Sequence, residues 1–178
     1  MSPKKKSDIY TKIPLTVYHR SLRISLGEDT TLKKLWKRSS PLETSEYNIN
    51  QMARYISKYW NAVKKTFPEY WDRPTTEQRL THSIGVYTLA KLMDEVMSEI
   101  VDWTSKDAEG KIAEKISKLK RIPWDDKVIL SLQNNATDRK VLFDAVHDFY
   151  VGSGEQDEIE LNFGLGEKNP KIKLLPKE

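Results

Sequence analysis

Asn48-Ile49-Asn50-Gln51-Met52-Ala53-Arg54-Tyr55-Ile56-Ser57-Lys58-Tyr59-Trp60-Asn61-Ala62-Val63-Lys64-Lys65-Thr66-Phe67-Pro68-Glu69-Tyr70-Trp71 is the stretch on which the fold turns. Ile49, Met52, Ala53, Ile56, Trp60, Val63 and Phe67 recur at spacings of three and four, which sets them along one face of an α-helix. Lys58, Lys64 and Lys65 fall between them, toward water. The pattern predicts a helix capped by Asn48 or Asn50 and stopped by Pro68, which has no backbone hydrogen to donate.

Downstream, Asp72-Arg73-Pro74 makes a connection, and Thr75 or Thr76 starts a second helix through Leu80, Ile84, Leu92, Val96, Ile100 and Trp103. This is the longest predicted element. Gly85 inside it costs about 1 kcal/mol relative to alanine, which points to close packing there. Ala108, Ile112, Ile116 and Leu119 mark a third helix ending near Pro123, and Trp124 to Leu132 is a short apolar segment. Asn134-Asn135-Ala136 reads as a turn, with Thr137 or Asp138 capping a last helix that carries Val141, Leu142, Ala145, Val146 and Phe149. Beyond Gly152 a tail holds one strand-like phrase, Ile159 to Phe163, which needs a pairing partner from elsewhere, and then a basic end from Lys168 to Lys177.

Upstream, residues 1–12 are polar and lysine-rich and read as a flexible basic arm. From Ile13 to Leu26 the pattern fits a helix face or partial strand alternation, with helix or extended arm favoured. Asp29 or Thr30 then caps a short helix through Arg38, which Ser39-Ser40-Pro41 closes. The resulting expectation is a mainly α, compact multi-helix domain over residues 13–152. A basic arm precedes it, and a tail over 153–178 carries one strand.

A chain of 178 residues has room for one sizeable core, and its composition of 38% hydrophobic and 31% charged residues is that of a polar-surfaced globule. No apolar run approaches the roughly 20 residues that span a bilayer, and Lys4-Lys5-Lys6 is followed by no apolar signal core, so the expected location is cytoplasmic with no membrane partner. With no cysteine, disulfides, thiol nucleophiles and cysteine-ligated metals are excluded. Residues 1–40 hold ten Lys or Arg against three Asp or Glu, a balance of +7, whereas the whole chain carries +4 and residues 41–178 therefore −3. That asymmetry is the footprint of contact with nucleic acid or an anionic surface, although a solvated basic tail gives the same count.

No phosphate-binding glycine loop, dinucleotide fingerprint or serine elbow is present. His19, His82 and His147 lie far apart with no second ligand at metal spacing, and Asp125-Asp126 and Glu158/Glu160 read as a helix start and a solvated strand face. No catalytic residue, metal ligand or cofactor is assigned. The candidate nucleic-acid contacts are Lys4, Lys5, Lys6, Lys33, Lys34, Lys37, Arg38, Lys64 and Lys65. Trp60 and Phe67 belong to the apolar stripe, which leaves Tyr55, Tyr59 and Tyr70 as surface rings for base stacking beside Arg54, Lys58 and Arg73.

The phrases Tyr59-Trp60-Asn61-Ala62-Val63-Lys64-Lys65-Thr66-Phe67-Pro68-Glu69-Tyr70-Trp71 and Leu80-Thr81-His82-Ser83-Ile84-Gly85-Val86 resemble the C-terminal helical part of DGQHR-domain proteins, relatives of the regulator of DNA phosphorothioation. In that family a helix ending in an aromatic-Pro-Glu-x-Trp block is followed by a threonine-containing helix start and an Ile-Gly pair. The resemblance covers about a quarter of the chain. The Asp-Gly-Gln-His-Arg signature itself is absent, since His19-Arg20 lacks the three residues before it, and no functional residue carries over. The resemblance implies an accessory subunit of a DNA-modification or defence-type system. Together these readings give a non-enzymatic, nucleic-acid-associated protein that docks phosphates through its basic front. A rival is a protein-assembly subunit using exposed aromatics and strand addition by Ile159 to Phe163. The partner classes are thus DNA and a protein partner or larger complex, with the oligomeric state open.

Overall fold

The computed structural model describes residues 45–177 apart from Gly154, Gly166 and Glu167, with only the helical backbone defined over 45–53. The expected basic arm and the short helix through Arg38 lie outside the described residues. The chain is mainly helical: α1 (Ser45–Thr66), α2 (Pro68–Trp71), α3 (Ser83–Ser98), α4 (Ala108–Ile116), a 3-10 turn (Ser117–Arg121), α5 (Lys127–Ser131) and α6 (Ala136–Val151) precede strands β1 (Glu158–Glu160) and β2 (Lys171–Lys173). α1 packs on α4, α3 lies on α6 and touches α4, and the 3-10 turn and β1 both abut α6.

Helix α1 begins earlier than its asparagines predict, at Ser45. Asn48 and Asn50 sit inside the helix. At its far end Pro68 opens α2 as its first residue, and the Tyr70 and Trp71 amides donate to the Phe67 carbonyl at 3.2 Å.

The second predicted helix starts late and stops early, leaving α1 as the longest described element. Thr75-x-x-Gln78 looks like a capping box, but Gln78 is fully buried and its amide donates to the Arg73 carbonyl and, at 2.6 Å, to Thr81 Oγ1. Residues 72–82 therefore fold as a tight loop. The Arg79 amide donates to the Trp124 carbonyl at 2.8 Å, and its guanidinium donates to the carbonyls of Thr75 and Leu130 at 2.6 Å each. α3 starts only at Ser83, where the His82 imidazole accepts from the Ile84 amide.

Two further expectations shift. Asn135, not Thr137 or Asp138, caps α6, its side-chain oxygen accepting from the Asp138 amide at 2.8 Å. The strand at Ile159 finds its partner within the same tail. β1 and β2 are antiparallel, with Ile159 opposite Ile172 and charged residues opposite each other on either side. Both isoleucines face the core, and the Lys171 ammonium meets the Glu158 carboxylate outside. Ile159, Leu161, Ile172 and Leu174 join one cluster with Trp124, Phe149, Leu142 and the inner faces of α1, α3 and α4. A reciprocal pair fastens the end of the chain: the Leu175 amide donates to the Arg121 carbonyl at 2.7 Å, and Arg121 Nε donates to the Leu175 carbonyl at 2.8 Å.

Gly85 meets its expected role. A Cβ there would stand 2.0 Å from the Arg79 carbonyl oxygen and 2.5 Å from that of Leu80, both backbone atoms that no rotamer change can move. Gly85→Ala should therefore destabilise the protein by on the order of 1–3 kcal/mol despite alanine's better helix propensity. Thermal denaturation of the variant checks this, and an unchanged or raised Tm would show that the loop yields freely.

Candidate nucleic-acid interface

Of the lysines and arginines expected to meet phosphates, Lys4, Lys5, Lys6, Lys33, Lys34, Lys37 and Arg38 lie outside the described residues. Lys64 and Lys65 are exposed in the last turn of α1. The stacking candidates are not on the surface. Tyr55, Tyr59 and Tyr70 are buried: α4 packs on α1 and Tyr59 reaches α3, which widens the apolar face of α1 beyond the single stripe, while Tyr70 is on α2 beside Asp125. The Tyr59 hydroxyl donates to the Leu89 carbonyl at 2.7 Å, and burial drives its pKa upward. Tyr55 stands edge-on to Trp103 at 5.1 Å. The Tyr70 hydroxyl donates to Asp125, and burial beside that carboxylate raises its pKa to about 12. Lys58, expected in solvent, donates to the carbonyls of Thr104 and Ser105 and ties α1 to the turn before α4.

The carboxylates and histidines have structural partners. Asp126 caps α5 by accepting from the Val128 amide at 2.7 Å, and Asp125 holds the Arg73 guanidinium at 2.9 Å. His82 Nδ1 accepts from Ile84, which requires that nitrogen to be unprotonated. His147 lies on the α6 surface, 3.3 Å from Glu95 and tilted against Phe143. Because Glu95 lies 13 residues beyond His82, the two imidazoles stand about 20 Å apart along α3. His19 lies outside the described residues.

The charge that does converge comes from residues outside the expected contact set. Lys118, Lys120, Arg121 and Lys177, with Ser117, Ser153 and Leu175, line an open groove of about 450 Å³ between the 3-10 turn and the end of the chain. The reciprocal Arg121–Leu175 bonds hold its two walls together. Arg121 is nearly buried, over the Phe149 ring at 5.8 Å and 3.6 Å from Asp157. Lys118 hangs over the Tyr150 ring at 4.6 Å, and Lys177 pairs with Glu155 at 2.7 Å. Four cations thus face one groove with the carboxylates of Glu155 and Asp157 at its edge. The sequence signal is the run Lys118-Leu119-Lys120-Arg121, which falls on the outer, charged face of the third predicted helix.

A second feature runs along the α3/α6 seam. Tyr87 meets Arg139, Lys91 meets Phe143, Glu95 meets His147 and Glu99 meets Tyr150, so both residue numbers climb together and the two helices run parallel. Glu99 is held by Lys115 at 2.5 Å, and this hydrogen bond lowers its pKa. Lys118 borders both this end of the seam and the basic groove.

Comparison with protein-family models, with curated proteins and with solved structures finds no match to this chain.

The His82 cap makes stability pH-dependent. Burial, aided by the Arg79 charge, lowers the His82 pKa below its ordinary 6.5, so below that pH the unfolded chain binds the proton that the fold resists. Stability should be full above about pH 6.5 and fall as pH drops below it. His82→Asn retains a capping oxygen without a titrating group, and should flatten the Tm-versus-pH curve between pH 5 and 7. An identical slope in the variant would assign the effect elsewhere.

Proposed function

We propose that this chain is a non-enzymatic, nucleic-acid-associated protein whose helical body presents cations to the phosphate backbone. The observation that carries this reading is the groove lined by Lys118, Lys120, Arg121 and Lys177, fixed on a helical scaffold by the Arg121–Leu175 clasp. Single exposed ion pairs contribute only about 0–1 kcal/mol each, but several phosphates bound at once release counterions together and give affinity that depends steeply on salt. The ten cations among residues 1–40 carry the same sign to the same kind of ligand. Lys64 and Lys65 add two more on the exposed end of α1. The resemblance of the Tyr59–Val86 phrases to DGQHR-domain proteins supplies the setting, an accessory role in a DNA-modification or defence-type system.

Phosphate docking of this kind is blind to sequence. Fluorescence anisotropy of labelled duplex DNA across a salt titration should show log affinity falling linearly with log salt. The K118Q/K120Q/K177Q variant should lower affinity for unrelated sequences alike and reduce that slope by about 3, roughly one per lost contact. Wild-type affinity and slope in this variant would remove the groove from the interface.

A further inference from the structure

The Tyr87–Phe143 stretch of the α3/α6 seam holds two cations, Lys91 and Arg139, that make no ion pair among the described residues. Lys91 is half-buried, yet among the described residues its ammonium makes no hydrogen bond or ion pair and meets only the faces of Phe143, at 3.8 Å, and Tyr87, at 5.9 Å. Burial draws its pKa down, and the attraction of Asp144 opposes this without outweighing it. The carboxylate whose field reaches it, Asp144, is bridged by Lys140. One rung away, the Arg139 guanidinium lies over Tyr87 at 5.1 Å, with Nε donating to its own helix at the Asn135 carbonyl and no carboxylate paired to it among the described residues. Two cations therefore share one aromatic ring, and all four side chains are partly open to solvent.

A half-buried ammonium without an ion pair attracts an anion, and a guanidinium backed by an aromatic ring offers an outer plane on which a flat ring can stack. Those two properties side by side match one chemistry. We propose that Tyr87, Lys91, Arg139 and Phe143 form a subsite for an unpaired nucleotide of a single strand, its base stacked on the Arg139–Tyr87 pair and its phosphate on Lys91. This inference rests on the nucleic-acid reading above and adds to it a preference for unpaired over duplex strands, because a base held in a duplex cannot reach a side-chain plane. Glu95 and Glu99 occupy the next rungs of the seam toward Lys118, so the subsite is set apart from the basic groove and holds its nucleotide on its own residues.

The test uses the intact chain with a 2-aminopurine-labelled single-stranded oligonucleotide and its duplex, read by fluorescence and by anisotropy. Wild type should quench the single strand on binding. R139Q and Y87L should abolish the quench and weaken single-strand binding about tenfold, leaving duplex affinity within twofold, and K91Q should lower the single-strand salt slope by about 1. Arg139 is a surface residue whose replacement leaves the core intact, so R139Q answers even where Y87L loosens packing, which melting curves reveal. Duplex and single strand bound alike, with the same fluorescence in wild type and R139Q, would overturn the stacking subsite and leave phosphate docking standing. No binding to either oligonucleotide at low salt would overturn both.

Discussion

Where a side chain at residue 85 would begin, the carbonyl oxygens of Arg79 and Leu80 already stand, and that close approach of backbone to backbone sets the rest of the arrangement. It presses the 72–82 loop flat against the first turn of α3. So placed, the loop offers the Arg79 amide to Trp124 and its guanidinium to Leu130, which draws in the segment that becomes α5. Beside it, Asp125 grips Arg73 and accepts from Tyr70, which brings α2 and the end of α1 to the same point. Charge-assisted hydrogen bonds of this kind, partly withdrawn from water, contribute more than exposed ion pairs, and here they join three stretches distant in sequence.

The existence of the main helices was legible because apolar residues recur at helical spacing over long windows, as at Ile56, Trp60 and Val63 or Val141, Leu142 and Ala145. Their ends were less so. Thr75 and Gln78 have the spacing of a capping box, but nothing local says that Gln78 will turn to Arg73 and Thr81, a choice made by tertiary contacts. The tyrosines of α1 misled for a related reason. A single stripe predicts one covered face, whereas α1 is covered from two directions, and a buried hydroxyl is tolerable once a carbonyl such as that of Leu89 is within reach. The tail's second strand escaped notice because three residues with one inward isoleucine carry almost no pattern by themselves. The basic groove was half legible, since its lysines form a visible run, but its other wall comes from Leu175 and Lys177, more than fifty residues later.

The two cationic features differ in how their charge is managed. In the groove, Arg121 and Lys177 have carboxylate neighbours and Lys118 rests on a tyrosine ring, so the walls hold their shape before any ligand arrives. Along the seam the positions of Lys91 and Arg139 are set by aromatic faces, which fix a cation without cancelling it. The fold supplies this contrast through one choice of topology, two neighbouring helices pointing the same way, which places a residue every turn of α3 against its counterpart on α6.

That topology has a consequence in time. Helices that run parallel cannot be joined by a short turn, and the chain from Glu99 to Asn135 travels back along α3 before α6 begins. Glu95 thus waits for a partner 52 residues further on. At synthesis rates of about 5–20 residues per second, the seam face of α3 that carries Tyr87, Lys91 and Glu95 emerges from the ribosome on the order of 3–10 seconds before its counterparts on α6. For that interval the contacts α3 makes with α6 have no partner on the nascent chain, whereas α1, made earlier, is already present to meet Leu89.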